Sequence, residues 1–181
     1  MADLATQADA TSFGYGEIPA GYFKRASARV RAYVRQQINA GTSSIEVRAP
    51  IVLMPERPVR AIVSVTDADG NVLEEGAHKD YVLRGGGILE LPNEGGQVTV
   101  EYDHGFTTVP DEIVEVVCGV AARMAGQSDS AAAGVIQETG GSESVSFGFD
   151  SYKAVSALSA GEMAMLDRLF PKRGGVVVTR P

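Results

Sequence analysis

The segment from residue 98 to residue 124 changes from a strand pattern to a helix pattern within a few residues. Valines alternate with polar residues over positions 98–101, which indicates a half-buried strand. After Gly105 the apolar residues recur at helical spacing, and this stripe consists of Ile113, Val116, Val117, Val120, Ala121 and Met124. Pro110 and the acidic residues after it suit a first helical turn. The segment therefore predicts a strand joined by a sharp turn to a largely buried helix over residues 111–126.

Two further segments have helical periodicity. Apolar positions predict a helix over residues 20–38. The opposite face of this helix carries the basic residues Lys24, Arg25, Arg29, Arg31 and Arg35. Ser159 and Glu162 form a capping-box pattern that opens a helix over residues 160–170, before Pro171. The apolar residues of this last helix include Leu166, Leu169 and Phe170.

Between the first two long helices the pattern is that of β-strands. Residues 43–102 contain short β-prone runs separated by prolines and glycines, which predicts an antiparallel meander. Residues 67–71, with the sequence DADGN, are typical of a hairpin turn. The predicted fold class is α+β: a small bundle of about three to four helices with an inserted antiparallel β meander, an extended arm and a C-terminal tail.

The chain is predicted to hold one domain with appendages. An N-terminal segment covers residues 1–18, the domain covers residues 19–173, and a tail covers residues 174–181. The arm covers residues 134–149, where Val145, Phe147 and Phe149 alternate with small or polar residues. This alternation predicts an extended arm or a lone strand.

Composition excludes several classes of function. The 181 residues carry a net charge of −7, which argues against a protein that neutralises nucleic-acid phosphates. The single cysteine, Cys118, lies on the apolar stripe and is expected to be a small buried residue. No run of 18 apolar residues is present to span a membrane, and the first residues lack the pattern of a secretory signal.

No catalytic, metal-binding or cofactor-binding site is predicted. His104 follows Asp103, but adjacent residues rarely form a catalytic pair, and no G-x-S-x-G motif accompanies them. We interpret His104 as a turn residue hydrogen-bonded to the backbone. The sequence from Asp67 to Asn71 departs from the calcium-loop pattern and lacks helical flanks. One cysteine and two distant histidines cannot make a zinc motif.

The remaining features indicate interactions with other proteins. The tail contains a β-prone run that could add a strand to a partner's sheet or be a disordered terminus: Val176, Val177, Val178 and Thr179. The basic helix face is solvated, binds a phosphate backbone, or forms salt bridges with a partner or another subunit through Arg25, Arg29 and Arg35. The acidity of the whole chain favours salt bridges over a phosphate backbone.

The order of these parts resembles a known family. The segments LMPERPVRAIVSVTDADG, VTVEYDHGFTTVPDEIVEVVCGVAARM, ESVSFGF and LSAGEMAMLDRLF resemble the head-to-tail adaptors (head-tail connector or head-completion proteins) of long-tailed bacteriophages, over about residues 20–170. The resemblance implies a structural, non-enzymatic virion protein at the head–tail interface, made in the cytoplasm of the bacterial host. It also implies a ring of twelve copies beneath the portal protein, between the portal and a stopper or other neck protein, with no membrane contact and DNA passing through the lumen.

Within this interpretation, particular residues are expected to contact partners. The arm residues Val145, Phe147 and Phe149 would reach a neighbouring subunit. The last helix, with Leu166, Leu169 and Phe170, and the tail run Val176–Thr179 would dock on the portal. DNA would pass without sequence-specific binding, since an acidic chain offers few counterion-releasing cations.

Three alternatives remain open at this stage. The protein could be a different neck or tail-completion protein. Residues 43–102 could form a ligand-binding β module on a helical scaffold, although this region has only Tyr81 and Tyr102 as aromatic residues. It could also be an enzyme that uses His104.

Overall fold

The computed structural model describes residues 2–76, 79–91, 96–126, 137–140, 143–146 and 158–171. The helices in these ranges are α1 (Gln7–Ser12), α2 (Ala20–Val34), α3 (Asp111–Ala125) and α4 (Ala160–Leu169). The strands are β1 (Gly41–Val47), β2 (Ile51–Leu53), β3 (Val59–Asp67), β4 (Val82–Arg84), β5 (Ile88–Glu90), β6 (Val98–His104), β7 (Gln137–Gly140) and β8 (Glu143–Ser146). The α+β fold predicted from the sequence is confirmed.

The chain divides into two compact units. The helical unit comprises Met1–Val34 and Pro110–Leu169, and the β unit comprises Arg35–Val109 and Phe170–Pro181. The helical unit is built around α3, against which α1, α2 and α4 pack. Every residue of α3 from Val116 to Ala121 is buried, as the apolar stripe predicts. Val30 of α2 and Leu166 of α4 are fully buried in the same unit.

Hydrogen bonds hold the N-terminal segment and the start of α4 within the helical unit. The backbone N–H of Leu4 donates to Ser27 Oγ at 2.9 Å, which ties the N-terminal segment to α2 through two buried residues. The predicted capping box of α4 is confirmed, since Ser159 N–H donates to Glu162 Oε2 at 2.7 Å and Glu162 N–H to Ser159 Oγ at 3.3 Å. Glu162 also accepts two hydrogen bonds of 2.8 Å from the Arg123 guanidinium of α3.

The β unit contains two three-stranded antiparallel sheets. Their strand orders are β1–β6–β3 and β2–β5–β4. One hydrophobic cluster joins residues of both sheets, and its buried members are Ile45, Val47, Val52, Met54, Val65, Tyr81, Leu89, Leu91, Val98, Val100 and Tyr102. Alternate residues of β6 point into this cluster, so its burial follows the period of two that the sequence predicts.

Directly after β6 the chain passes close to the segment that leads into β1. Gly105 has φ +76°, and its N–H donates to the carbonyl of Pro58 at 2.9 Å. The next residue, Phe106, donates to the Ile38 carbonyl at 2.8 Å, and its own carbonyl accepts from Ala40 at 2.9 Å. The strand-to-helix turn predicted from the sequence therefore also pairs with the chain that leads into β1.

The helix predicted over residues 20–38 ends earlier than expected. Helix α2 stops at Val34, and Arg35 has φ +57°, a left-handed conformation that terminates helices. Ile38 is fully buried in the β unit, and its carbonyl pairs with Phe106. Ile38 stands four residues after Val34, so its spacing fits a helix. Periodicity alone does not show that Ile38 is instead buried in the core of the β unit.

Residues 143–146 form a strand, as the alternation around Val145 predicts, but the alternative of a lone strand is wrong because this strand is paired. Strand β8 pairs with β7 in antiparallel register, from Gln137 opposite Ser146 to Gly140 opposite Glu143. The sequence of β7 has low hydrophobicity and therefore gave no strand signal. A two-stranded hairpin supplies each strand with the backbone partners that a lone strand would lack.

Candidate interaction surfaces

The outer face of the sheet β1–β6–β3 carries hydroxyls and carboxylates. The register places Thr42 opposite Asp103, Ser44 opposite Glu101 and Glu46 opposite Thr99, and β3 adds Ser64 and Thr66 on the same face. We call this set the hydroxyl–carboxylate face. The opposite side of the same strands carries Ile45, Val65 and Val100, which are buried.

The carboxylates of this face accept hydrogen bonds from neutral groups. Asp103 Oδ1 accepts from Thr42 Oγ1 at 2.6 Å, and Glu101 Oε2 accepts from Ser64 Oγ at 3.4 Å. Glu46 Oε2 accepts from the Gln97 amide at 2.7 Å, and Gln97 in turn accepts from Arg48. Within the described ranges, none of these three carboxylates forms a salt bridge. This face is not among the sites predicted from the sequence, although the alternation of Thr99, Glu101 and Asp103 with buried residues is a signal for it.

Helix α2 presents a basic face in the helical unit. Lys24, Arg25 and Arg29 are exposed, and Gly21, Ala28 and Ala32 beside them are small and exposed. We call these six residues the basic face. Arg25 lies over the ring of Tyr22, 5.7 Å from the ring centroid. Burial lowers the pKa of Arg31, which lies outside this face, and the charge of Asp3 partly opposes that shift.

Arg35, the third predicted salt-bridge residue, lies beyond α2. It is exposed and belongs to the β unit, whereas Arg25 and Arg29 belong to the helical unit. The structure therefore places Arg25 and Arg29 one helical turn apart on one surface and does not extend that helix to Arg35. Salt bridges from all three arginines to a partner stay a prediction.

His104 forms a side-chain contact rather than the backbone hydrogen bond expected for a turn residue. It is buried at the end of β6, and its Nε2 lies 3.0 Å from Ser43 Oγ on β1. Its Nδ1 has no hydrogen-bond partner among the described residues, so no carboxylate orients the ring. The neighbouring Asp103 accepts from Thr42 instead. A catalytic triad requires that orienting group, and this Ser–His contact does not supply it.

The turn over residues 67–71 is held by its own side chains. Asp67 Oδ1 accepts from the backbone N–H groups of Asp69 at 2.9 Å and Asn71 at 2.8 Å, and Gly70 has φ +88°. Hydrogen bonds from the side chain and backbone of Asn71 lower the pKa of Asp67. This arrangement is the predicted hairpin turn.

A cavity of about 240 Å³ lies beside this turn, lined by Asp67, Asp69, Asp80, Arg48, Leu73 and Leu91 among others. It is smaller than the roughly 300–1,000 Å³ of typical small-molecule sites. In the part of the chain that the structure describes, no group of three or more His, Cys, Asp or Glu side chains could hold a metal ion.

Cys118 lies in the interior of α3. Burial raises the pKa of its thiol to about 11, and the charge of Asp9 adds to the shift. A thiol with this pKa is protonated at neutral pH and is a poor nucleophile. The expectation of a small buried residue is confirmed. None of the described helices is long and apolar enough to span a bilayer.

The predicted partner-binding residues fall in three places. Leu166 is fully buried, Leu169 is half-buried, and Phe170 is buried and meets Phe106 edge-on, with ring centroids 6.2 Å apart. Val145 lies within β8. Phe147, Phe149, Val176, Val177, Val178 and Thr179 lie outside the described residues.

No family model and no curated protein matches the sequence. Among solved structures, the chain is similar to a component of the "Neck of native GTA particle computed with C12 symmetry", with 16% identity, 96% of this chain and 91% of that chain covered, and a TM-score of 0.52. It is also similar to a chain of the "Virion of native gene transfer agent (GTA) particle", with 17% identity, 92% and 84% coverage, and a TM-score of 0.52. The resemblance inferred from the sequence is thus confirmed for the fold: the chain has the fold of a component found in the neck of a gene transfer agent particle.

Proposed function

We propose that this protein is a structural subunit of the neck of a phage-like virion, and more specifically a head-to-tail adaptor. The observation that carries the proposal is the similarity in fold, over 96% of the chain, to a neck component of a gene transfer agent particle. The sequence segments that resemble phage adaptors point independently to the same role.

In this role the protein forms a ring of twelve copies beneath the portal and connects it to a stopper or other neck protein. The C12 symmetry of the neck to which the chain is similar supports twelve copies. DNA passes through the lumen of the ring, and the net charge of −7 favours passage over tight binding of phosphates. The interactions that hold such a ring are heterologous, with one surface of each copy meeting a different surface of the next.

The last helix and the tail are the proposed contacts with the portal. Leu166 is fully buried and anchors α4 in the helical unit, so it is not itself available to a partner. The exposed residues of this helix, which are available to a partner, are Ala160, Gly161, Ala164 and Arg168. The arm that includes Val145 is proposed to contact a neighbouring subunit.

The proposal is tested by mixing the purified protein with rings of the cognate portal. We expect a complex with twelve copies of the protein for each portal ring, measured by analytical ultracentrifugation and imaged by cryo-electron microscopy. The protein without portal and the portal alone are the controls. Failure to bind the portal, combined with binding to another neck protein, would assign the chain to a different layer of the neck.

A further inference from the structure

The charge of helix α2 is of one sign. The sequence of α2, AGYFKRASARVRAYV, contains four basic residues and no acidic residue, within a chain of net charge −7. Among the described residues, neither Lys24 nor Arg29 pairs with a carboxylate. A surface of one charge sign is complementary to a partner surface of the opposite sign.

The hydroxyl–carboxylate face has the opposite charge. Glu101 and Asp103 project from the same side of the central strand β6, and Glu46 lies on the neighbouring strand β1. The closest cations in sequence are Arg48, beyond the end of β1 and linked to Glu46 through Gln97, and Arg60, in the first bulge of β3. The middle of the face is therefore anionic, and its other side chains are short: Ala61 is apolar, and the rest carry hydroxyls.

The distance between neighbouring arginines on the basic face is close to the distance between neighbouring carboxylates on the hydroxyl–carboxylate face. Residues four apart on a helix are about 6 Å apart along the helix axis, which applies to Arg25 and Arg29. Residues two apart on a strand are about 7 Å apart, which applies to Glu101 and Asp103. Gly21, Ala28 and Ala32 have small side chains, so the sheet of another copy could approach α2 closely enough for each arginine to meet one carboxylate.

We infer that the basic face of α2 in one copy docks on the hydroxyl–carboxylate face of the sheet in a second copy of the chain. The two faces are different surfaces of one sequence, so the contact is heterologous and repeats from copy to copy, as a closed ring requires. This inference rests on the proposed function, because it names the surfaces that join neighbouring subunits of the ring. Charge pairs at such an interface also select the correct partner and register.

The experiment uses two charge-reversed variants of the full chain, R25E/R29E and E101R/D103R. Each variant keeps one native face and reverses the other, so neither should form rings with itself. We expect the protein concentration needed for half-maximal assembly on portal rings to rise at least about tenfold for each. Circular dichroism and urea unfolding establish that each variant is folded. The matched control is K79E/R84E, which changes the net charge by the same amount as R25E/R29E at exposed residues of the other part of the β unit.

Restoration of assembly distinguishes a direct contact from a general effect of charge. An equimolar mixture of the two variants should assemble, because the acidic helix of one meets the basic sheet of the other in alternation around an even-numbered ring. The quadruple variant R25E/R29E/E101R/D103R should also assemble. Native mass spectrometry of the mixed rings should show equal numbers of the two variants.

Three results would overturn the inference while leaving the proposed function in place. In the first, R25E/R29E assembles as well as the wild type. In the second, both folded variants fail and neither the mixture nor the quadruple variant restores the rings. In the third, R25E/R29E forms normal rings but particles containing it fail to package or deliver DNA, which would assign the basic face to DNA. Failure of the wild-type protein to assemble on the portal would instead contradict the proposed function.

Discussion

Gly105 is the residue on which the connection between β6 and α3 depends most directly. Its φ of +76° is a conformation that residues with a side chain rarely adopt. A Cβ atom at this position would stand 2.3 Å from the Asn39 carbonyl oxygen and 2.8 Å from the Ile38 carbonyl oxygen. The Ile38 carbonyl accepts from Phe106, and Asn39 lies between Ile38 and Ala40, both of which pair with Phe106. This backbone therefore cannot move aside without loss of hydrogen bonds.

The substitution Gly105→Ala should therefore destabilise the β unit by about 3 kcal/mol or more, since it combines backbone strain with a steric clash. Urea unfolding followed by circular dichroism measures the change. Gly85→Ala is the matched control, because Gly85 lacks a positive φ and nothing lies near its Cβ position. The control should change the free energy of unfolding by less than about 0.5 kcal/mol. Equal effects of the two substitutions would show that the close approach at Gly105 is unimportant.

A buried polar pair also shapes the β unit. The Tyr102 hydroxyl donates to Glu56, and both residues are buried. Tyr102 thus bonds to the segment between β2 and β3, while His104 on the same strand contacts Ser43 of β1. The rings of Tyr102 and His104 lie 5.6 Å apart in a tilted arrangement.

At the scale of elements, the attachment of α4 to α3 combines a helix cap with an ion pair. Burial alone would raise the pKa of Glu162, but hydrogen bonds from Arg123 and Ser159, together with the charge of Arg123, outweigh it and lower the pKa below its ordinary value. A carboxylate with a lowered folded-state pKa stabilises the fold above its unfolded-state pKa. That stabilisation is lost as the pH falls through the folded-state pKa.

The substitution Glu162→Gln should destabilise the helical unit by about 1 kcal/mol at pH 7, because it removes the ion pair and weakens the cap. The difference between wild type and variant should shrink as the pH falls through the lowered folded-state pKa of Glu162, where the wild-type carboxyl becomes protonated. Thermal unfolding at pH 7 and at pH 3 measures both effects. Glu115→Gln, at an exposed position of α3, should show no comparable difference. A difference for Glu162→Gln that is independent of pH would contradict this account.

Elements that depend on local contacts are predicted from the sequence, whereas elements that depend on residues distant in sequence are not. The buried stripe of α3 and the capping box of α4 depend on contacts within a few residues, so the sequence predicts both. The end of α2 depends on Ile38 pairing with Phe106, nearly seventy residues away in sequence. The pairing of β7 with β8 likewise depends on backbone hydrogen bonds, and the low hydrophobicity of β7 gives no pattern from which to predict them.

At the scale of the whole molecule, the proposed function assigns folding and assembly to different parts of the chain. The buried hydrophobic residues in the described ranges lie in the helices, in the strands and in the segments that join them. The tail lies outside the described residues, and the proposed function assigns it to assembly rather than to the fold.

Deletion of residues 174–181 should leave the unfolding transition unchanged and should reduce the binding of the protein to portal rings. Thermal unfolding and co-sedimentation with the portal measure the two quantities. Deletion of residues 2–6, which include buried Leu4 and Ala5, is a contrasting control and should lower the unfolding temperature. Undiminished assembly of the tail-deleted protein on the portal would exclude the tail as a docking element.

The sequence by itself determined the fold class, the central helix, the capped last helix and the lack of a recognisable catalytic motif, since each of these follows from local spacing and composition. It also carried the resemblance to phage adaptors. Only the tertiary structure decided that Glu46, Glu101 and Asp103 share one open face, and that Leu166 faces inward. It also decided that Arg35 leaves the basic helix. The physical reason is that strand pairing and burial join residues that are distant in sequence, and no local period records which strand a given residue will meet.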